Sequence, residues 1–151
     1  MSTGGSVALP TRMVPITGRA ALASAVDVTS SDWQDVPLEL TLPVPGLYRL
    51  GGALQIMLDA SMDGAREVWM YYRVLDVAAG QPLQHVGGLV QVRAPQRTWW
   101  TSPIDGFHRV QDTATVRVQA SMGRQGEAGQ AMIRFFETSG SSRFTFERIG
   151  D

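Results

Sequence analysis

The chain has 151 residues with 13 Arg, no Lys, 14 acidic residues, two His, no Cys and a formal net charge of −1. That length suits one domain that buries roughly 70% of its unfolded surface without a disulfide or metal staple. The lack of Cys excludes thiol catalysis, zinc–thiolate sites and disulfide frameworks. Because no charge run is longer than two residues, neither nucleic acid nor a membrane surface is expected as a partner.

Asn is absent along with Lys. Both residues have A/T-rich codons, so their joint absence points to a very GC-rich genome, bacterial or that of a virus infecting such a bacterium. Without Asn, the turns fall to Gly and Asp.

In chain order, residues 1–30 are rich in Ser, Thr, Gly, Ala and Pro, with Val7, Leu9, Met13, Val14 and Ile16 scattered among them. No period persists there, so the segment reads as an extended N-terminal arm, either a disordered tail or an attachment segment that docks on another subunit. Within it, "RAALASAVD" resembles a signal cleavage site, but the apolar run Ala20–Ala25 is too short and Pro10 and Pro15 lie upstream, so secretion by this route is not expected. No stretch approaches the ~20 apolar residues of a membrane span.

From Trp33 the period becomes two. Leu38, Leu40 and Leu42 alternate with Glu39 and Thr41, and after the corner "PVPG" the residues Tyr48, Leu50, Leu54, Ile56 and Leu58 share one face. Gly51 and Gly52 interrupt that strand, which calls for a bulge, a bend or a close backbone approach. "DASMDG" (Asp59–Gly64) ends it. "REVWMYYRVLD" follows, with Val68, Met70, Tyr72 and Val74 opposite Trp69, Tyr71 and Arg73. Further strands are expected over 86–93, 98–104, 113–122, 132–137 and 143–149, with "GRQGEAG" (Gly123–Gly129) as a loop. About eight short strands separated by Gly, Pro and Asp turns, with no sustained helical period, specify an all-β, antiparallel β-sandwich or jelly roll over residues 31–151.

Candidate chemistry is sparse. "DASMDG" places Asp59, Ser61, Asp63 and Gly64 in the opening pattern of a calcium loop, but its twelfth position is Met70, which cannot supply the bidentate carboxylate, so a hairpin turn is the better reading. His85 and His108 lie in different segments, and only Asp112 stands near either at ligand spacing, so no metal site and no cofactor is nominated. No Gly-x-Ser-x-Gly elbow or phosphate-cradling loop occurs, and the chain is expected not to be an enzyme.

The aromatics remain. Adjacent residues on a strand point to opposite faces, so within the Tyr71–Tyr72 and Trp99–Trp100 pairs at least one ring must lie outside a single core. Trp69, Tyr71, Trp99 and Trp100 are therefore candidates for a subunit interface or a ligand face, with packing beneath a loop as the third option.

Residues 33–151 resemble the jelly roll of the tumour-necrosis-factor and complement globular-head superfamily. The resemblance rests on the Pro-x-x-Gly-x-Tyr start of a long strand (Pro43, Gly46, Tyr48), the alternation after Asp112 (Val116, Val118) and the Ser-x-Phe-x-Phe ending (Ser142, Phe144, Phe146). It implies a ten-stranded jelly roll that trimerises through aromatic and aliphatic residues on one sheet, with its termini together. The chain carries no collagen-like repeat, no expected secretion signal and no cysteine, which favours a virion or bacterial version over a secreted animal-type ligand. The expected function is therefore a structural virion protein, assembled in the bacterial cytoplasm and bound through its arm to major capsid or tail proteins, as a capsid decoration or tail-tip component. The alternative is a module that binds a host-surface glycan or receptor through exposed aromatics.

Overall fold

A computed structural model of the chain describes residues 15–61, 65–126, 132–138 and 142–151. Ten strands occur among them: β1 (Thr17–Ala21), β2 (Val26–Val28), β3 (Gln34–Leu42), β4 (Gly46–Asp59), β5 (Ala65–Asp76), β6 (Gln81–Arg93), β7 (Arg97–Val110), β8 (Ala114–Gly126), β9 (Met132–Phe135) and β10 (Arg143–Gly150). All their pairings are antiparallel. The fold is an antiparallel β-sandwich, and among the described residues no helix is long and apolar enough to cross a membrane.

The first sheet runs β1-β10-β4-β9-β2, with β7 on the other side of β4, and the second runs β3-β8-β5-β6. With the short β2 and β9 set aside, β1-β10-β4-β7 faces β3-β8-β5-β6, a jelly-roll arrangement in which the chain repeatedly passes from one sheet to the other. The period-two pattern creates the core between them. Leu38, Leu40 and Leu42 from β3, Tyr48, Leu50, Leu54, Ile56 and Leu58 from β4, Val68, Met70, Tyr72 and Val74 from β5, and Phe144 and Phe146 from β10 are all buried. Fully burying one such aliphatic or aromatic side chain contributes about 1.5–3 kcal/mol.

The Pro-Val-Pro-Gly corner carries the chain from β3 in the second sheet to β4 in the first. The buried Tyr48 ring pins it: its hydroxyl donates to the Val44 carbonyl at 2.8 Å and accepts from the Val44 amide at 3.3 Å. Its edge meets Phe146, with ring centroids 5.6 Å apart. Farther along β4, Gly52 has φ +134°, and a Cβ there would lie 2.2 Å from the Arg143 carbonyl oxygen of β10. The Gly-Gly pair thus marks a close backbone approach.

β4 pairs with β7 along its whole length, while its other edge is shared. Leu47–Ala53 pair with β10, and Ile56–Asp59 pair with β9. At the seam the buried Ser142 hydroxyl accepts from the Gln55 amide at 3.0 Å, and the Gln55 carbonyl accepts from the Phe136 amide at 2.9 Å. A side chain and a crossing backbone thus replace the ladder where no strand is opposite.

Several boundaries differ from those expected. Within the 1–30 segment, residues 17–21 and 26–28 are strands of the first sheet, paired with β10 and β9. β6 begins at Gln81, five residues before the expected 86, and β7 continues to Val110. β8 runs through Gly123 to Gly126, where a loop was expected, because β5 pairs with it that far and Trp69 lies over Gly123. The tip of the expected Asp63-Gly64 turn lies outside the described residues.

Candidate functional site

The four aromatics singled out in the sequence do not form one site. Trp69 and Tyr71 stand on the outer face of the second sheet, Trp99 on the outer face of the first, and Trp100 one step out of phase with Trp99 on β7, the strand that pairs only with β4 among the described residues. Trp99 and Trp100 are 57% and 51% exposed, so the sandwich covers neither ring.

The Trp99 side of the first sheet is the more developed surface. Trp99 is paired across β4 with Met57, and its ring lies 5.0 Å from that of Phe136 at a 36° tilt. Met57 is outside the core yet buried. It is also in register with Arg134 of β9, so it stands between Trp99 and Arg134 on neighbouring strands. Arg134 pairs with Asp27 of β2 through Nε–Oδ1 at 2.6 Å and a second bond at 3.2 Å. That hydrogen bond holds the Asp27 carboxyl below its ordinary range against the opposing effect of partial burial. Thr101 and Gln55 extend the polar rim through a 2.8 Å bond. The result is an apolar centre with a polar border on a flat sheet face.

The second sheet's outer face is divided. Over β3, β8 and β5 a polar ribbon runs from Trp33, whose ring lies 4.0 Å beneath the Arg73 guanidinium. Arg73 Nε donates to Gln119 Oε1, Gln119 Nε2 donates to Asp35 Oδ1, and Arg117 bridges Asp35 and Glu39. Beyond this ribbon, Tyr71 and Leu89 are cross-strand partners, 45% and 52% exposed. Trp69 is half-buried: a Cβ at Gly123 would meet its Nε1, which explains why glycine stands opposite it.

The paired titratable groups lie at separate places in the sandwich. Asp59 is buried, accepts from the Ser61 amide at 2.8 Å and from the Ser61 hydroxyl, and receives two bonds from Arg97 at 2.8 and 3.0 Å. Burial raises its pKa, but the Ser61 and Arg97 hydrogen bonds outweigh this and hold the carboxyl below its ordinary value. His108 Nε2 lies 3.4 Å from Asp76 Oδ2 of β5, not beside Asp112. Sequence spacing could not show this pair, because the sandwich brings together residues 32 positions apart. His85 is exposed and lies nine positions after Asp76. Among the described residues no group of three or more acidic or histidine side chains is placed to hold a metal ion.

Of the attachment-arm candidates, Ile16 is half-buried against the core and its carbonyl accepts from the Arg148 amide at 2.9 Å. Val7, Leu9, Met13 and Val14 lie outside the described residues. No family model matches the chain, and no curated protein matches it.

Proposed function

We propose that the protein is a non-enzymatic structural component of a bacteriophage particle: a homotrimeric jelly roll held on the capsid or tail by its N-terminal arm, as a decoration or tail-tip subunit. The observation that carries the reading is the Trp99 surface. It is built from four strands, with the buried Met57 beside Trp99 and the Asp27–Arg134 pair at its rim, yet its central ring is more than half open. Exposed aromatic patches with polar rims are typical of contact surfaces. The trimer number comes from the resemblance to the tumour-necrosis-factor and complement-head jelly rolls, and the phage setting from the Lys- and Asn-free composition.

The arm fits the same picture. β1 is an edge strand of the first sheet, paired with β10 on one side, so a segment ahead of it can reach a neighbouring subunit without breaking a ladder. Sedimentation velocity of the full chain at micromolar concentration tests the assembly: a trimer is expected, and a persistent monomer would overturn it. Removal of residues 1–14 should leave the trimer intact but abolish incorporation into particles. Normal incorporation of the truncated chain contradicts the role given to the arm.

A further inference from the structure

At the far end of β7 from Trp99, about 26 Å along the strand, the molecule carries a second and chemically different surface. Between the pairs Arg73–Gly87 and Leu75–Pro82, β5 has one residue while β6 has four, so Leu83–Val86 bulge away from the ladder. His85 sits within the bulge at φ +62°, a conformation that a non-glycine residue holds only when its surroundings fix it. The bulge turns Val86 inward, where it is buried and packs so closely over Gly106 of the opposite sheet that a Cβ there would approach it to 2.4 Å. The sandwich edge is thereby closed. A groove remains beside it, lined by Gln81, Gln84 and Asp76 on one side and Phe107, His108 and Arg109 on the other.

We propose that this groove binds a terminal, uncharged hexopyranose, with the Phe107 ring as its stacking platform. Phe107 is 59% exposed, so its face is open to the C–H side of a sugar ring. The same groove is lined by groups suited to hydroxyls, each of which both donates and accepts. Gln81 and Gln84 present exposed carboxamides. Asp76 is fixed by the Ala79 amide on Oδ1, at 3.2 Å, and by His108 on Oδ2. Arg109 spends one nitrogen on the Asp151 carbonyl at 2.8 Å and keeps others for a ligand. The lining sets one carboxylate, Asp76, against one guanidinium, Arg109, so the groove offers an acidic sugar no excess positive charge. Strand bulges are enriched next to binding sites, and this one provides a wall of the groove.

The site does not depend on the particle reading or on trimer formation. Its test is saturation-transfer and amide-shift NMR on the full chain with methyl glycosides of glucose, galactose, mannose and N-acetylglucosamine, and with a methyl sialoside as the charged comparison. At least one neutral glycoside should give saturable shifts centred on Gln84, Phe107 and His108. Phe107→Ala, at an exposed position that leaves the core intact, should weaken binding by about tenfold, while Trp99→Ala leaves it unchanged. Absence of saturable binding for all four neutral glycosides at about 20 mM would overturn the proposal. Undiminished binding in Phe107→Ala, or tighter binding of the sialoside, would overturn it equally.

Discussion

The Tyr72 hydroxyl lies 2.6 Å from the Ser102 hydroxyl in the buried space between the sheets, and 3.1 Å from the Pro103 carbonyl it donates to. This polar link ties β5 to β7 within an otherwise apolar core. Tyr72→Phe strands the Ser102 hydroxyl and should cost about 1–2 kcal/mol. Ser102→Ala leaves Tyr72 its carbonyl partner and should cost about 0.5–1 kcal/mol. The double variant should lose less than the sum of the two, and urea midpoints at unchanged m-value would show it.

Gly52 and Gly80 both have positive φ, at +134° and +64°, but their surroundings differ. A Cβ at Gly52 would collide with the backbone of β10, whereas one at Gly80 meets nothing within 4 Å. Gly80→Ala should therefore cost only the backbone strain, about 1–2 kcal/mol. Gly52→Ala should cost clearly more and shift the melting temperature further, because two strands must separate to admit it. Equal losses in the two variants would contradict this reading of the close approach.

Stability should fall in acid through Asp59. Its carboxyl titrates below the ordinary value in the folded chain. Its contribution is therefore complete above about pH 4 and disappears as pH drops through the lower folded value. Asp59→Asn should cost about 2 kcal/mol at pH 7 by weakening the charged bonds to Arg97 and Ser61, and should flatten the decline below pH 4. Asp27, held low by Arg134, keeps its own slope in that variant. Urea titrations at pH 7, 4 and 3 would compare the two chains.

Trp99→Glu should separate assembly from folding. The ring is mostly exposed, so its removal costs the monomer about 1 kcal/mol through the lost stacking on Phe136. A charge at the centre of an aromatic contact should nevertheless convert the expected trimer to monomer. A trimer that survives the substitution would place the contact elsewhere.

The strands were readable wherever polarity and burial agree. β3 and β10 show clean alternation because their inward residues are mostly aliphatic or aromatic and their outward ones mostly polar, while β4 and β5 keep the apolar phase on their inward face only. β7 defeats that rule: it points Ser102, Gly106 and His108 towards the sandwich interior and Trp99 and Phe107 outward, so its second half carried no alternating signal. β1 and β2 are too short and too rich in small residues to show a period. Exposure of at least one ring from each aromatic pair follows from strand geometry, but not the exposure of both Trp99 and Trp100, nor the separation of Trp69 and Tyr71 from Trp99 onto different sheets. The Phe107 groove was invisible, since its wall is a four-residue bulge and its Asp76–His108 pair joins two sheets.

The seam at Gln55 gives the first sheet two panels on one spine. The smaller panel, β2 with three residues and β9 with four, is joined to β4 over only four positions. Its release would leave Ile56–Asp59 as an open edge while β7 still holds the other side of the spine. Release of this end of the molecule would expose the buried Val28 and Phe135, at about 1.5–3 kcal/mol each, so the panel is held by its core side chains more than by its short ladder. It is also the place where a strand from another chain could enter by the same ladder, which makes the Ser142 hydroxyl and the Asp27–Arg134 pair guards against strand exchange between copies as well as parts of the fold.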